Sequence, residues 1–248
     1  MSSMPQEQPL RFSPKAVVSC VPTHCGACNL REGRPLCGVA VGDEVTPNHQ
    51  VYPRRRVRRG EALYRAGSNF DSLYAVRTGF FKSRVVLEDG RDQVTAFHMA
   101  GEIVGMDGIG GGAHMSDLLA LEDSDVCLIP YADLEQPGMQ RQLHKLMSRE
   151  LVRDQGVMLL LGTMHSEERL AAFLLNLSQR FLARGYSPSD FHLRMTREEI
   201  GSYLGLALET VSRLFSRFGE DGLISVQQKH IRILDVCGLK AVMTRDAS

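Results

Sequence analysis

The sequence predicts an α+β fold with short β-strands in its first half, one long helix and a compact helix-rich C-terminal unit. Short apolar runs separated by turn residues fill residues 57–130, a helical period follows Pro130, and two short helices joined by a glycine follow Thr196. The 248 residues, 43% of them hydrophobic, can form more than one core. We therefore expect four segments, at residues 1–50, 51–135, 136–168 and 169–248.

Composition excludes several classes of protein. Lys and Arg number 29 and so do Asp and Glu, which argues against coating of nucleic acid through bulk charge. No apolar stretch approaches the roughly 18 residues that a membrane span needs, and the N-terminus lacks a secretory signal, so we expect a cytoplasmic protein. No nucleophile–base pair, phosphate-binding loop or catalytic carboxylate pair is visible, which argues against an enzyme.

The N-terminal segment, residues 1–50, is expected to be irregular and held by a ligand. Four of the six cysteines, Cys20, Cys25, Cys28 and Cys37, lie within eighteen residues, which in a reducing compartment indicates a metal site. Cys25 and Cys28 share one turn and Cys37 follows closely. An iron–sulfur cluster or a structural zinc needs a fourth ligand, and spacing alone leaves both Cys20 and the distant Cys127 as candidates.

Residues 51–135 are predicted to form a small antiparallel β-barrel of the jelly-roll type. Apolar runs such as residues 73–76 and 94–97 are separated by turns at Thr78-Gly79 and Asp89-Gly90. The basic run at residues 54–59 is interpreted as a solvated strand edge.

Residues 136–168 are predicted to form a long dimerisation helix. Apolar residues and one aspartate recur at spacings of 4, 3, 4 and 3, typical of a coiled-coil seam: Met147, Leu151, Asp154, Met158 and Leu161. Alternatively, the helix packs only on its own barrel. In a symmetric dimer Asp154 would face its own copy, so like charges would weaken the pairing unless Asp154 lies off the seam.

Residues 169–248 are predicted to contain a winged helix-turn-helix. Thr196 and Glu199 form a capping box that opens a helix ended by Gly205, and a second helix runs from about Leu208 to Phe218. Residues 222–226 and 230–234 then resemble a β-hairpin wing.

The second of these helices has two distinct faces. We expect a buried face of Leu208, Val211, Leu214, Phe215 and Phe218. The outward residues suit the major groove, because Arg binds guanine bidentately and Glu accepts from cytosine, although an ordinary solvated face would look similar. The residues predicted to contact DNA are Glu209, Thr210, Ser212, Arg213, Arg217 and, from the preceding helix, Arg197.

Several stretches together resemble one family. Residues 72–79, 97–102, 171–173 and 195–223 are similar to the oxygen-sensing FNR (fumarate and nitrate reduction regulator) branch of the CRP/FNR superfamily. The resemblance implies a cyclic-nucleotide-binding-like barrel and a homodimer that reads a TTGAT-type inverted repeat in double-stranded DNA through Glu209, Ser212 and Arg213. It also implies contacts with RNA polymerase through residues 88–92 and 184–191.

The resemblance further implies a [4Fe–4S] cluster held by Cys25, Cys28, Cys37 and Cys127. The sequence departs from the family in the long gap between Cys28 and Cys37, and in Ala207, where a threonine usually caps the second helix. The alternative is a structural zinc with a different effector, for which Cys20 would matter and Cys127 would not.

The cyclic-nucleotide branch of the superfamily supplies the main rival ligand. A buried phosphodiester requires an arginine followed by Ser or Thr near residue 115, whereas this chain has Met115, Ser116 and Asp117. We therefore expect no cyclic nucleotide.

Overall fold

The computed structural model describes residues 52–244. The predicted cysteine segment, residues 1–50 with Cys20, Cys25, Cys28 and Cys37, lies outside the described residues.

Eight strands form two four-stranded antiparallel sheets: β1 (Arg54–Val57), β2 (Ala62–Tyr64), β3 (Ser72–Thr78), β4 (Phe80–Val86), β5 (Asp92–Met99), β6 (Ile103–Val104), β7 (Asp117–Ala120) and β8 (Ser124–Pro130). One sheet has the order β1-β8-β3-β6 and the other β2-β7-β4-β5. A shared core that includes Val76, Phe81, Leu118 and Val126 packs the sheets together. The jelly-roll prediction is confirmed, although the described strands form two separate sheets rather than one closed barrel.

The predicted turns lie where the chain reverses. Gly79, between β3 and β4, has a φ of 97°, and a Cβ atom there would lie 2.0 Å from Ser124 Oγ. Only glycine fits this position without displacing β8. Gly90, with a φ of 84°, completes the turn between β4 and β5. Strand β1 is an edge strand with Arg54 and Arg56 exposed, as predicted for the basic run.

Three helices follow: α1 (Tyr131–Leu134), α2 (Pro137–Thr163) and α3 (Ser166–Leu182). Helix α2 spans 27 residues, as its long apolar period predicted. Its first half packs Leu143 and Leu146 against the sheet β1-β8-β3-β6, where Leu73 and Cys127 belong to the same core. Helix α3 is more deeply buried, and its residues Leu170, Leu174 and Leu177 belong to a further core that also includes residues of the C-terminal unit.

The C-terminal unit contains β9 (Asp190–His192), α4 (Arg197–Leu204), α5 (Leu208–Glu220), β10 (Ile224–Gln227), β11 (His230–Ile233) and α6 (Val236–Val242). Strands β10 and β11 form the predicted hairpin, and β9 adds a third strand. Helix α4 ends at Gly205, whose φ is 63°. The winged helix-turn-helix prediction is confirmed.

One residue of the predicted buried face was wrong. Leu208 is 45% exposed, whereas Val211, Leu214, Phe215 and Phe218 are buried. Leu208 is the first residue of α5, so the buried face begins one turn later, at Val211.

A single core joins the C-terminal unit to the β-domain. Phe80, Val94, Phe97 and Met99 from β4 and β5 pack in the same cluster as α3, α4 and α5. Among residues 52–244, no helix is long and apolar enough to cross a membrane.

Candidate nucleic-acid interface and cysteine site

Helix α5 presents a polar face held in place by its apolar one. Val211 and Phe218 are 0% and 1% exposed, and their burial fixes the rotation of the helix. Glu209, Ser212 and Arg213 are consequently exposed on the opposite side. The structure therefore leaves the predicted readout residues accessible, and these side chains can form hydrogen bonds with the edges of bases.

The other predicted contact residues are more constrained. The Arg197 Cζ atom lies 3.2 Å above the centre of the Phe215 ring, and burial lowers the pKa of Arg197 to about 10, which keeps it cationic at neutral pH. Arg217 contacts Glu167, and its Nε atom lies 3.8 Å from Asp221. Two carboxylates therefore offset the charge of Arg217. The Thr210 hydroxyl accepts a hydrogen bond from Arg213 at 3.5 Å.

The capping box of α4 also connects the two parts of the molecule. Thr196 Oγ1 accepts from the Glu199 amide at 3.1 Å, and Glu199 Oε2 accepts from the Thr196 amide at 2.6 Å. The second carboxylate oxygen of Glu199 accepts from Lys82 Nζ on β4 at 2.7 Å. Nearby, the Val94 amide donates to Ser202 Oγ at 2.8 Å. Sequence reasoning missed Lys82, because no local pattern links residues 117 positions apart.

Arg169 ties together the helices around the helix-turn-helix. Its guanidinium donates to three main-chain oxygens, those of Leu161 at 2.8 Å, Met164 at 2.9 Å and Leu204 at 3.0 Å. These carbonyls belong to the ends of α2 and α4, where helical C=O groups lack internal partners. One side chain in the first turn of α3 thus caps both helices.

The predicted dimerisation stripe is largely solvent-accessible on α2. Met147 is 36% exposed, Leu151 63% and Met158 73%. Asp154 is also exposed, and Leu161 is half-buried. Helix α2 therefore packs on its own β-domain through one face and leaves most of the stripe uncovered.

A buried charge cluster lies between the β-domain, α2 and α3. Glu102 Oε1 lies 2.8 Å from Arg180 and 2.7 Å from Arg184, and Arg153 lies 3.9 Å from Oε2. Burial raises the pKa of Glu102, but the three arginines outweigh it and hold that pKa at about 2. Burial lowers the pKa of His98 to about 3, so this histidine is neutral at physiological pH. Sequence reasoning did not find this cluster.

Cys127 occupies a buried position on β8. It is 8% exposed and lies opposite Arg54 of β1 and Ala75 of β3. Tyr52, the first described residue, packs in the same core. The described part of the chain therefore begins in the core that contains Cys127. Cys237, on α6, is exposed.

Cys127 is the one member of the predicted metal-ligand set that lies within the described residues. Between residues 52 and 244, no group of three or more His, Cys, Asp or Glu side chains could hold a metal ion. A metal centre that includes Cys127 would need ligands from outside residues 52–244. A buried sulfur beside apolar side chains suits an iron–sulfur cluster, which binds through thiolates.

Comparisons with known proteins agree with this architecture. Residues 54–140 match the cyclic nucleotide-binding domain family, and residues 168–242 match the Crp-like helix-turn-helix domain family. The transcriptional regulatory protein btr of Bordetella pertussis is 45% identical over 229 residues, which cover 90% of this chain and 95% of btr. The fumarate and nitrate reduction regulatory protein of Escherichia coli K12 is 47% identical over 218 residues, covering 85% and 86%.

This chain belongs to the FNR branch of the CRP/FNR family. Among solved structures, FixK2 of Bradyrhizobium japonicum superimposes with a TM-score of 0.73 at 31% identity, covering 80% of this chain and all of FixK2. As a CRP/FNR protein, the chain is a DNA-binding transcriptional regulator and not an enzyme. The residues that contact DNA and any metal remain predictions.

Proposed function

We propose that this CRP/FNR protein is a cytoplasmic, oxygen-responsive regulator of anaerobic genes. In the proposal, a [4Fe–4S] cluster on Cys25, Cys28, Cys37 and Cys127 controls dimerisation along α2 and binding to a TTGAT-type inverted repeat. The observation that carries the proposal is the shared core of Cys127, Tyr52, Leu143 and Leu146. It joins the only described member of the ligand set to the predicted dimerisation helix.

The proposed coupling between the cluster site and α2 rests on direct packing of side chains. Leu143 and Leu146 are 6% and 8% exposed and pack in the core that contains Cys127. Close-packed cores transmit displacement, so anchoring the N-terminal chain beside Cys127 biases the position of α2. The cluster would supply the oxygen sensitivity, because oxygen degrades it.

Asp154 sets the balance between monomer and dimer in this proposal. The exposed stripe of Met147, Leu151 and Met158 favours pairing, whereas Asp154 carboxylates facing each other oppose it. We expect Asp154→Ala to dimerise in air, as measured by sedimentation velocity. A variant as monomeric as the parent would show that repulsion at Asp154 is not the restraint.

DNA readout is assigned to α5. A dimer presents two copies of α5 to major grooves one helical turn apart, with Glu209, Ser212 and Arg213 reading the bases. Replacing Arg213 with Met should weaken specific binding by about 1–3 kcal/mol and relax specificity at one base pair. Arg217, already paired with Glu167, should contribute less.

Contact with RNA polymerase is assigned to residues 88–92 and 184–191. Val86, Leu87 and Tyr186, at or beside these loops, are 51%, 46% and 60% exposed. Exposed apolar side chains at loop tips are suited to binding a protein partner.

The proposal is tested by DNA binding of protein purified without air. Fluorescence anisotropy with a TTGAT inverted repeat should show binding that is lost on exposure to air. Cys127→Ser should abolish anaerobic binding, and the matched variant Cys20→Ser should retain it. The reverse pattern, with Cys20 required and Cys127 dispensable, would contradict the cluster assignment and favour a structural zinc.

A further inference from the structure

Arg217 lies on one flank of the exposed face of α5. At about 100° per residue, Arg213 is turned about 40° and Arg217 about 80° from Glu209 around the helix axis. Arg217 also lies in the last turn of α5, whereas residues near the start of a recognition helix approach the base edges. Arg217 is therefore placed to reach the phosphate backbone beside the groove, where contacts add affinity without reading sequence.

Two carboxylates already surround this arginine. Its guanidinium contacts Glu167, which lies 50 positions earlier in the chain on α3, and its Nε atom lies 3.8 Å from Asp221 Oδ2. Arg213, one turn earlier on α5, forms no ion pair with a carboxylate among residues 52–244 and contacts Thr210 instead. The chain thus neutralises one arginine of this face and leaves the charge of the other uncompensated.

We propose that Glu167 restrains DNA binding by holding Arg217 away from the phosphate backbone, and that Arg217 contacts a DNA phosphate once the Glu167 carboxylate is removed. The inference rests on the proposed function, because it requires α5 to face double-stranded DNA. It makes Glu167 a positioning residue that acts through Arg217.

The two glutamates in the first turn of α3 have different partners. Glu168 closes the capping box, in which its Oε2 atom accepts from the His165 amide at 2.7 Å. Glu167 takes no part in that box, and its side chain reaches α5 instead. The helix dipole stabilises negative charge in the first turn of a helix. The start of α3 therefore holds a carboxylate beside the flank of α5 that carries Arg217.

The ion pair is weak enough for DNA to compete with it. The side chains of Arg217 and Glu167 are 54% and 34% exposed, so water and salt screen their attraction. Exposed pairs of this kind contribute little to stability. Removal of the Glu167 carboxylate should therefore leave the fold intact and change the binding of DNA.

Helix α5 supplies no net charge of its own. It carries Arg213 and Arg217 against Glu209 and Glu220. Phosphate contacts supply most of the sequence-independent affinity of a DNA-binding protein. One further arginine on the phosphate backbone should therefore produce a measurable gain in affinity.

The test measures DNA binding of the full-length protein purified without air. Fluorescence anisotropy at low salt compares a TTGAT inverted repeat with a scrambled duplex of equal length. Glu167→Ala should bind both duplexes about threefold to tenfold more tightly, because each of the two subunits loses one exposed ion pair and gains one phosphate contact. The slope of log affinity against log salt should become steeper by about 1–2, since each added contact contributes about 0.9.

A double-mutant cycle shows whether the effect passes through Arg217. Glu167→Ala/Arg217→Met should bind no more tightly than Arg217→Met alone, because the carboxylate acts on that side chain. The matched control is Glu220→Ala, which removes another exposed carboxylate near the same surface and should gain less than Glu167→Ala.

Two results would overturn the proposal. One is an equal gain from Glu167→Ala with and without Arg217, and the other is no gain and an unchanged salt slope on either duplex. A parent that binds the two duplexes equally would instead contradict the sequence readout in the proposed function. In that case the cycle on the scrambled duplex still decides whether Glu167 restrains Arg217.

Discussion

Lys82 Nζ lies 2.7 Å from Glu199 Oε1, and this ion pair links β4 of the β-domain to the first helix of the helix-turn-helix. The two side chains are only 15% and 17% exposed. Glu199 also closes the capping box through its other oxygen. One carboxylate therefore starts α4 and fixes its position on the β-domain.

A double-mutant cycle measures this link. Lys82→Met, Glu199→Gln and the double variant should give a coupling energy of about 1–3 kcal/mol in urea unfolding, because the pair is a charge-assisted hydrogen bond shielded from water. Glutamine can still close the capping box, so the cycle isolates the pair. The exposed pair Asp89–Arg91 is the matched control and should give less than about 1 kcal/mol. Similar coupling energies for the two pairs would contradict the prediction.

Glu150 should make stability depend on pH. Burial raises the pKa of Glu150 to about 7, and the nearby Arg153 offsets this only in part. A carboxyl whose folded-state pKa is raised binds its proton more tightly in the folded state, so its effect becomes destabilising as pH rises from about 4.5 through 7.

Glu150→Gln should therefore be more stable than the parent by about 1–3 kcal/mol near pH 8, and the difference should disappear near pH 4, below the pKa of a free glutamate. Urea unfolding at both values checks this, with the exposed Glu88→Gln as control. If the parent instead became more stable relative to Glu150→Gln as pH rises, the contact with Arg153 would outweigh the effect of burial.

Helix α5 begins without a side-chain cap. Ala207 is its N-cap residue and makes no side-chain hydrogen bond, whereas Thr196 caps α4. Ala207→Thr should raise the free energy of unfolding by about 0.5–2 kcal/mol, and Thr196→Ala should lower it by a similar amount. Thermal unfolding of both variants checks the pair of effects. No gain from Ala207→Thr would mean that other groups already satisfy the first amides of α5.

Arg169 should couple the position of α2 to that of α4. Arg169→Met leaves carbonyls at both helix ends without their donor, which should cost about 1–3 kcal/mol of stability. It should also flatten the dependence of DNA affinity on half-site spacing, because the two recognition helices are then less rigidly placed. Arg141→Met, an exposed arginine on α2, is the control. A variant that is less stable but keeps the parental spacing preference would assign Arg169 a purely structural role.

Local sequence patterns predicted the helices and strands, but they did not predict contacts between residues that are far apart in the chain. The capping box of Thr196 and Glu199 and the stop at Gly205 lie within a few residues of each other, so the helix-turn-helix was readable from the sequence. Lys82 pairs with a residue 117 positions away, and Glu102 with arginines about 80 positions away. No local period encodes such pairs. Leu208 fits the helical period of the apolar face, but it is exposed because the core does not extend to the start of α5.

Residues around Asp107 illustrate the same limit. The glycines between residues 105 and 112 indicated a loop, but nothing in their spacing showed that Asp107 turns back to the amides of Met115 and Ser116. The absence of an arginine near residue 115 could be predicted from the sequence, whereas the hydrogen bonds from the Met115 and Ser116 amides to Asp107 became visible only in the folded structure.

The visible spectrum and metal content of protein purified without air decide whether Cys25, Cys28, Cys37 and Cys127 hold an oxygen-labile cluster. We expect broad absorbance that bleaches in air, with about four irons per chain, and loss of both in Cys127→Ser. Colourless protein with one zinc, unchanged by air and by Cys127→Ser, would contradict it.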